Sequence, residues 1–155
     1  MSQFKDSCSY VTRLLAQYPR TIFEVRNKLI KKGYEEKIIS ETIKFFIENK
    51  LLSDEEYARL FLENQIKYRP AGRNLIRNKM IKRGLSRDLV EKFLSENFSR
   101  EAEEQLACKL AKSKEKETRL KKKKDKISKI GQYLDRKGFS ESIIWQTLEA
   151  LNLLN

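Results

Sequence analysis

Three glycines, Gly33, Gly84 and Gly138, sit in the matching contexts KKGY, KRGL and RKGF, 51 and then 54 residues apart. The residues around them keep step. Eight positions before the glycine stand Val25, Ile76 and Ile130, and four before it Leu29, Met80 and Leu134. One position after it come Tyr34, Leu85 and Phe139; five and six after it, Ile38-Ile39, Leu89-Val90 and Ile143-Ile144; ten after it, Ile43, Leu94 and Leu148. Pro19 and Pro70 each precede their glycine by fourteen residues. A register kept over so many positions marks a diverged triplication, so the chain has to fold as three versions of one unit.

The spacing inside a unit is helical. Ile22, Val25 and Leu29, like Ile127, Ile130 and Leu134, fall on one face of a 3.6-residue period. Glycine ends that helix, because it takes the left-handed conformation without a Cβ clash, and the preceding cations suit the negative end of the helix dipole. The next apolar residue folds back onto the helix, and a second helix follows with its inner face at the fifth, sixth and tenth positions.

A further helix precedes each proline, over "SYVTRLLAQY" and "DEEYARLFLENQIKY", and proline prevents its simple continuation. Thr21 with Glu24 and Ser53 with Glu56 have capping-box spacing. Each unit is therefore three helices, the last two in a helix-turn-helix-like arrangement. The expected fold is all-α, with modules at 1–52, 53–98 and 99–155. Units this small have little core of their own, so they stack into an elongated, curved array. The third unit lacks the proline, and Leu120, Ile127 and Leu134 at seven-residue intervals predict a middle helix that begins early and runs long.

Charge narrows the function. The 155 residues carry a net charge of +12, which points to an anionic partner, although a merely lysine-rich composition accounts for part of it. Distribution is more telling. Lys67, Arg69, Arg73, Arg77, Lys79, Lys82 and Arg83 lie in a window, 67–83, that holds no acid. Residues 109–126 hold ten cations against three acids, including Lys121, Lys122, Lys123 and Lys124. The rest of the chain is slightly acidic.

Four successive helical lysines sweep roughly 400°, so the lysine run fits either a solvated face or nonspecific phosphate contact. In the first window Arg73 and Arg77, with Arg69, recur every four residues and line a stripe beside Leu75, Ile76 and Met80. Arginine forks there suit phosphate or carboxylate, with solubility as the plain alternative. The helices placed to read bases, over 35–50 and 140–151, are acidic or free of cations, which disfavours sequence-specific operator binding. Tyr34, Phe45, Phe46 and Trp145 fall at helical spacing among aliphatics and are expected in the core.

Other chemistries find little support. The chain has no histidine and two distant cysteines, Cys8 and Cys108, which removes the usual general base and the standard zinc sets. Its five glycines are scattered singly, so no phosphate loop is present. No catalysis, cofactor or metal is expected. Nothing approaches a membrane span or a secretory leader, and the expected setting is the reducing cytoplasm, with the chain a monomer.

The segments "YPRTIFEVRNKLIKKGY" and "LLSDEEYARLFLENQIKYRPAGRNLIRNKMIKRGL" resemble the RecX regulators of bacterial recombination. The resemblance spans residues 10–154 and is most specific over 51–85; "YLDRKGFSESIIWQTL" fits the last module. Lys79 and Met80 depart from it, standing where an acid and a leucine are usual. The resemblance implies tandem three-helix modules bent into a crescent. It also implies binding in the groove of the RecA recombinase filament, with negative regulation of ATP hydrolysis, co-protease activity and strand exchange. Direct contact with single- or double-stranded DNA accompanies this in some members. The other reading of the residues is a nonspecific DNA- or RNA-binding module with no recombinase partner.

Overall fold

A computed structural model describes residues 2–154. Among them the chain forms nine α-helices and no strand. The first three are α1 (Gln3–Gln17), α2 (Ile22–Lys32) and α3 (Glu36–Glu48). Next come α4 (Asp54–Tyr68), α5 (Arg73–Lys82) and α6 (Arg87–Asn97), then α7 (Arg100–Glu117), α8 (Lys123–Arg136) and α9 (Glu141–Ala150).

Each trio encloses its own core. Val11, Val25, Leu29, Ile39, Ile43 and Phe46 meet in the first; Ala58, Leu62, Ile76, Met80, Val90 and Leu94 in the second; Ala107, Ala111, Ile130, Leu134, Ile143 and Leu148 in the third. The positions eight and four before each glycine are fully buried in all three. Buried aliphatic side chains are worth about 1.5–3 kcal/mol each, which is what a weakly helical, highly charged sequence needs to hold its helices.

The elbows repeat closely. Gly33, Gly84 and Gly138 have φ of 95°, 103° and 90°. At each, the glycine amide donates to the carbonyl three residues back, and the following amide (Tyr34, Leu85 or Phe139) donates to the carbonyl five back, at 2.9–3.3 Å. This double bond pattern satisfies the helix end and turns the apolar residue inward. α1 and α4 both stop two residues before their proline. Thr21 and Glu24 form the complete capping box, whereas Ser53 accepts from the Glu56 amide while the Glu56 carboxylate turns to Arg59.

Two expectations need correction. α8 does begin a turn early, fifteen residues before its glycine against eleven for α2 and α5, but it does not reach Leu120. Residues 118–122 lie outside any helix. Neighbouring like charges repel, and Asp125 in the first turn of α8 favours a start within the lysine run, at Lys123. Among the aromatics, Phe46 is buried and Tyr34 half-buried, but Phe45 and Trp145 are 40% and 57% exposed. Their helices present a narrower inner face than the aromatic spacing implied.

The modules join in series through a repeated joint. The hydroxyl of Thr21, capping α2, donates to the Arg83 carbonyl at 2.7 Å; the amide of Gly72, capping α5, donates to the Lys137 carbonyl at 2.7 Å. The next amide in each helix is capped by a carboxylate from the following module's first helix: Ile22 by Asp54 at 2.9 Å and Arg73 by Glu103 at 3.0 Å. A Cβ on Gly84 would lie 2.4 Å from Phe23, and one on Gly138 2.4 Å from Leu75. Gly84 and Gly138 thus serve close approach between modules as well as the turn, whereas a Cβ on Gly33 would meet nothing within 4 Å. The accessible area, 10284 Å² for 18.4 kDa, exceeds the roughly 8200 Å² of a compact monomer, as an elongated array requires.

Candidate functional site

Folding divides the basic window 67–83 into two groups. Arg73 and Arg77 turn to partners within the protein. The Arg73 guanidinium donates to the Phe98 carbonyl, lies over the Phe98 ring at 5.3 Å and reaches Glu103 at 3.6 Å. Arg77 pairs with Glu91 of α6 and donates to Asn74 at 2.7 Å. Both side chains are 24% exposed. They brace α5 against α7 and α6, with acids lying 30 and 14 residues away in the chain.

The other group converges. Arg69, Lys79, Lys82 and Arg83 line a cleft of about 470 Å³ where the first module meets the second. Arg69 caps the C-terminus of α4, Lys79 and Lys82 occupy the last turn of α5, and Arg83 caps it. Cations are at home there because helix C-termini carry partial negative charge. The opposite wall comes from the first turn of α2, through Phe23 and Glu24, with Phe61 and Gln65 from α4.

Glu24 is the only acid of this lining, and its carboxylate is already used. One oxygen accepts the Thr21 amide at 3.0 Å and the other the Arg83 guanidinium at 3.3 Å. Lys79 donates to Gln65 at 3.4 Å. Arg69 and Lys82 are exposed and make no ion pair among the described residues. Phe23 is 50% exposed. The last turn of α4 adds Lys67, whose ammonium lies 5.2 Å from the ring of the exposed Tyr68. The chemistry of this lining suits an anion beside a flat or apolar group.

Beneath the joint, burial raises the pKa of the Asp54 carboxyl. The Ile22 amide lowers it in part, and the nearby Glu24 charge adds to the rise. Burial likewise pushes the Tyr57 phenol up, against the pull of Arg83.

Lys121, Lys122, Lys123 and Lys124 do not line this cleft. The first two lie in the segment between α7 and α8 and the others begin α8, all exposed. Sequence reasoning missed Phe23 and Phe61. Phe23 had a legible signal, as an aromatic off the Ile22, Val25 and Leu29 stripe. No described group of His, Cys, Asp or Glu is arranged to hold a metal ion, and no described helix is long and apolar enough to cross a membrane.

Residues 9–46 match the RecX first three-helix domain, and residues 53–94 the RecX second three-helix domain. The regulatory protein RecX of Clostridium perfringens strain 13 is 39% identical over 117 residues, covering 76% of this chain and 53% of its own length. That of Lactococcus lactis subsp. cremoris strain MG1363 is 33% identical over 154 residues, covering 97% of this chain and 57% of its own. The chain thus spans little more than half the length of these relatives. The crystal structure of RecX from Lactobacillus salivarius superimposes with a TM-score of 0.89 at 25% identity, covering 97% of both chains.

Proposed function

The chain belongs to the RecX family of regulatory proteins, and on that premise we propose that it binds the RecA recombinase filament and restrains ATP hydrolysis, co-protease activity and strand exchange. The observation that carries this reading is the basic cleft set at a repeated joint between like modules. A filament is itself a repeating helix, so equivalent weak contacts along an array add as avidity. Arg69, Lys79, Lys82 and Arg83 form the main anionic contact, toward the acidic surface of a protomer or the DNA it encloses. Lys67 and the lysines of 121–124 add nonspecific contact with phosphates. Arg73 and Arg77 hold the module that presents the cleft. We take the module limits as 1–52, 53–98 and 99–155.

The test is titration of the purified chain onto preformed filaments, reading ATP hydrolysis and strand exchange. Inhibition at about one chain per few protomers, lost when Arg69 and Lys82 are changed to glutamate, is expected. Unchanged ATPase and strand exchange at stoichiometric levels would overturn the reading. The exposed Lys121 and Lys122, outside any helix, favour a second reading, nonspecific nucleic-acid binding without a recombinase. Under it, the glutamate substitutions weaken DNA binding while no filament activity ever responds.

A further inference from the structure

Arg20 is only 6% exposed. Its Nε donates to the Leu14 carbonyl at 3.4 Å, one terminal nitrogen donates to the Gln17 side-chain oxygen at 3.2 Å, and the guanidinium lies 4.1 Å from the Tyr18 ring centroid. All these partners are neutral. No carboxylate among the described residues comes within ion-pair distance of it. A guanidinium does not give up its proton, so the charge remains in a largely apolar place without a counter-ion.

The fold does not require a charge at this position. In the second module the equivalent residue, also directly after a proline, is Ala71, buried at 1% exposure. The alkyl part of Arg20 fills that space, and its guanidinium donates to a terminal carbonyl of α1, where partial negative charge favours a cation. Arg20 also lines a cleft of about 170 Å³ where the end of α3 and the turn after α1 meet α4. Leu15, Pro19, Leu51 and Leu60 supply apolar walls, and Leu51 is 58% exposed. Glu56 also reaches this cleft, yet both of its oxygens are bound to Arg59.

We propose that the Arg20 cleft is a carboxylate-binding subsite for an acidic peptide segment of a protein partner, one carboxylate meeting the guanidinium while an adjacent aliphatic side chain packs on the apolar walls. A single fork of coplanar donors matches a planar carboxylate. At about 170 Å³, with Glu56 in its lining, the cleft suits a short side chain better than a hydrated sugar-phosphate chain. This subsite is separate from the basic cleft, and the proposal stands whether or not the partner is a recombinase filament.

The test is an NMR titration of the full chain, following the Arg20 Nε–Hε signal and the amides of residues 50–53. The probes are acetyl-Leu-Asp-Leu-Glu-amide, its Asn and Gln counterpart, inorganic phosphate and an oligothymidylate. Saturable shifts at these signals are expected with the acidic peptide. The neutral counterpart should bind at least about tenfold more weakly, the worth of a charge-assisted hydrogen bond. Arg20→Ala abolishes the response. Leu51→Asp, at an exposed position that leaves the core untouched, weakens it by placing a competing carboxylate at the mouth. Equal response to the neutral peptide, absence of shifts at millimolar peptide, or stronger response to phosphate or oligothymidylate overturns the proposal.

Discussion

The hydroxyl of Thr21 donates to the main-chain carbonyl of Arg83, 62 residues away, at 2.7 Å. The same hydroxyl oxygen accepts the Glu24 amide at 3.1 Å, so one side chain starts α2 and ties it to the end of α5. Gly72 makes the corresponding tie to Lys137 with its amide, having no side chain to use.

Thr21→Val keeps the shape of the side chain and removes both bonds. Loss of a helix cap and of a buried hydrogen bond costs about 1–2 kcal/mol. Urea denaturation monitored by circular dichroism measures it. Thr21→Ser should recover most of the loss, and a Val variant as stable as the parent would show that the joint draws little from this residue.

Gly84→Ala meets two penalties, the left-handed backbone and a Cβ 2.4 Å from Phe23. The backbone penalty alone is about 1–2 kcal/mol. Phe23→Gly removes the obstacle, its Cβ included, but not the backbone cost. A double-mutant cycle should therefore show the pair less damaging than the sum of the singles, by at least about 0.5 kcal/mol. Strict additivity would mean that the joint relaxes freely around the new methyl.

Asp54 contributes a pH dependence of known sign. Its carboxyl is held above the ordinary aspartate range, first by burial. Protonation is thus more favourable in the folded than in the unfolded chain. The stability gained from the proton is fully present below the unfolded pKa of about 3.9 and is lost as pH rises through the folded value. Asp54→Asn keeps an oxygen for the Ile22 amide without the charge. It should be more stable than the parent at neutral pH, with the difference closing as pH falls into the acid range. Thermal melts across pH 3 to 7, about the range where carboxyls titrate, read this directly; a difference of opposite sign rejects the account.

Arg77 and Lys82 separate structure from binding. Arg77→Glu faces Glu91 and loses an ion pair, so it should lower stability by about 1 kcal/mol or more. Lys82→Ala, at an exposed position, should change stability by less than about 0.5 kcal/mol. If the cleft holds a phosphate, the same change reduces the slope of log affinity against log salt by about 0.9. An unchanged slope removes Lys82 from the contact.

Leu134→Ala empties a fully buried site and should cost about 2–5 kcal/mol. Leu120→Ser, outside α8, should cost under about 0.5 kcal/mol. Equal losses in denaturant titrations would contradict the placement of the helix start.

Much of the architecture was legible because it is local. A glycine with cations before it and an apolar residue after it specifies its elbow within six residues, and the stripe of Val25 and Leu29 names its own buried face. Leu120 misled because the heptad spacing that reached it carried no account of four adjacent lysines repelling one another. Phe45 and Trp145 share the spacing of core residues, yet which of two neighbouring helical positions points inward depends on how the third helix closes the trio.

Order along the chain was enough to establish three all-helical units, their elbows and a surplus of positive charge, since each follows from contacts a few residues apart or from composition. The assignment of that charge was decided only in three dimensions. Arg73 meets Glu103, Arg77 meets Glu91 and Arg83 meets Glu24, across 14 to 59 residues of chain. Coulomb attraction acts through space and takes no notice of the acid-free window. Arg69 and Lys82 stay open at the cleft, and Arg20 lies buried without an acid, because of where the modules meet.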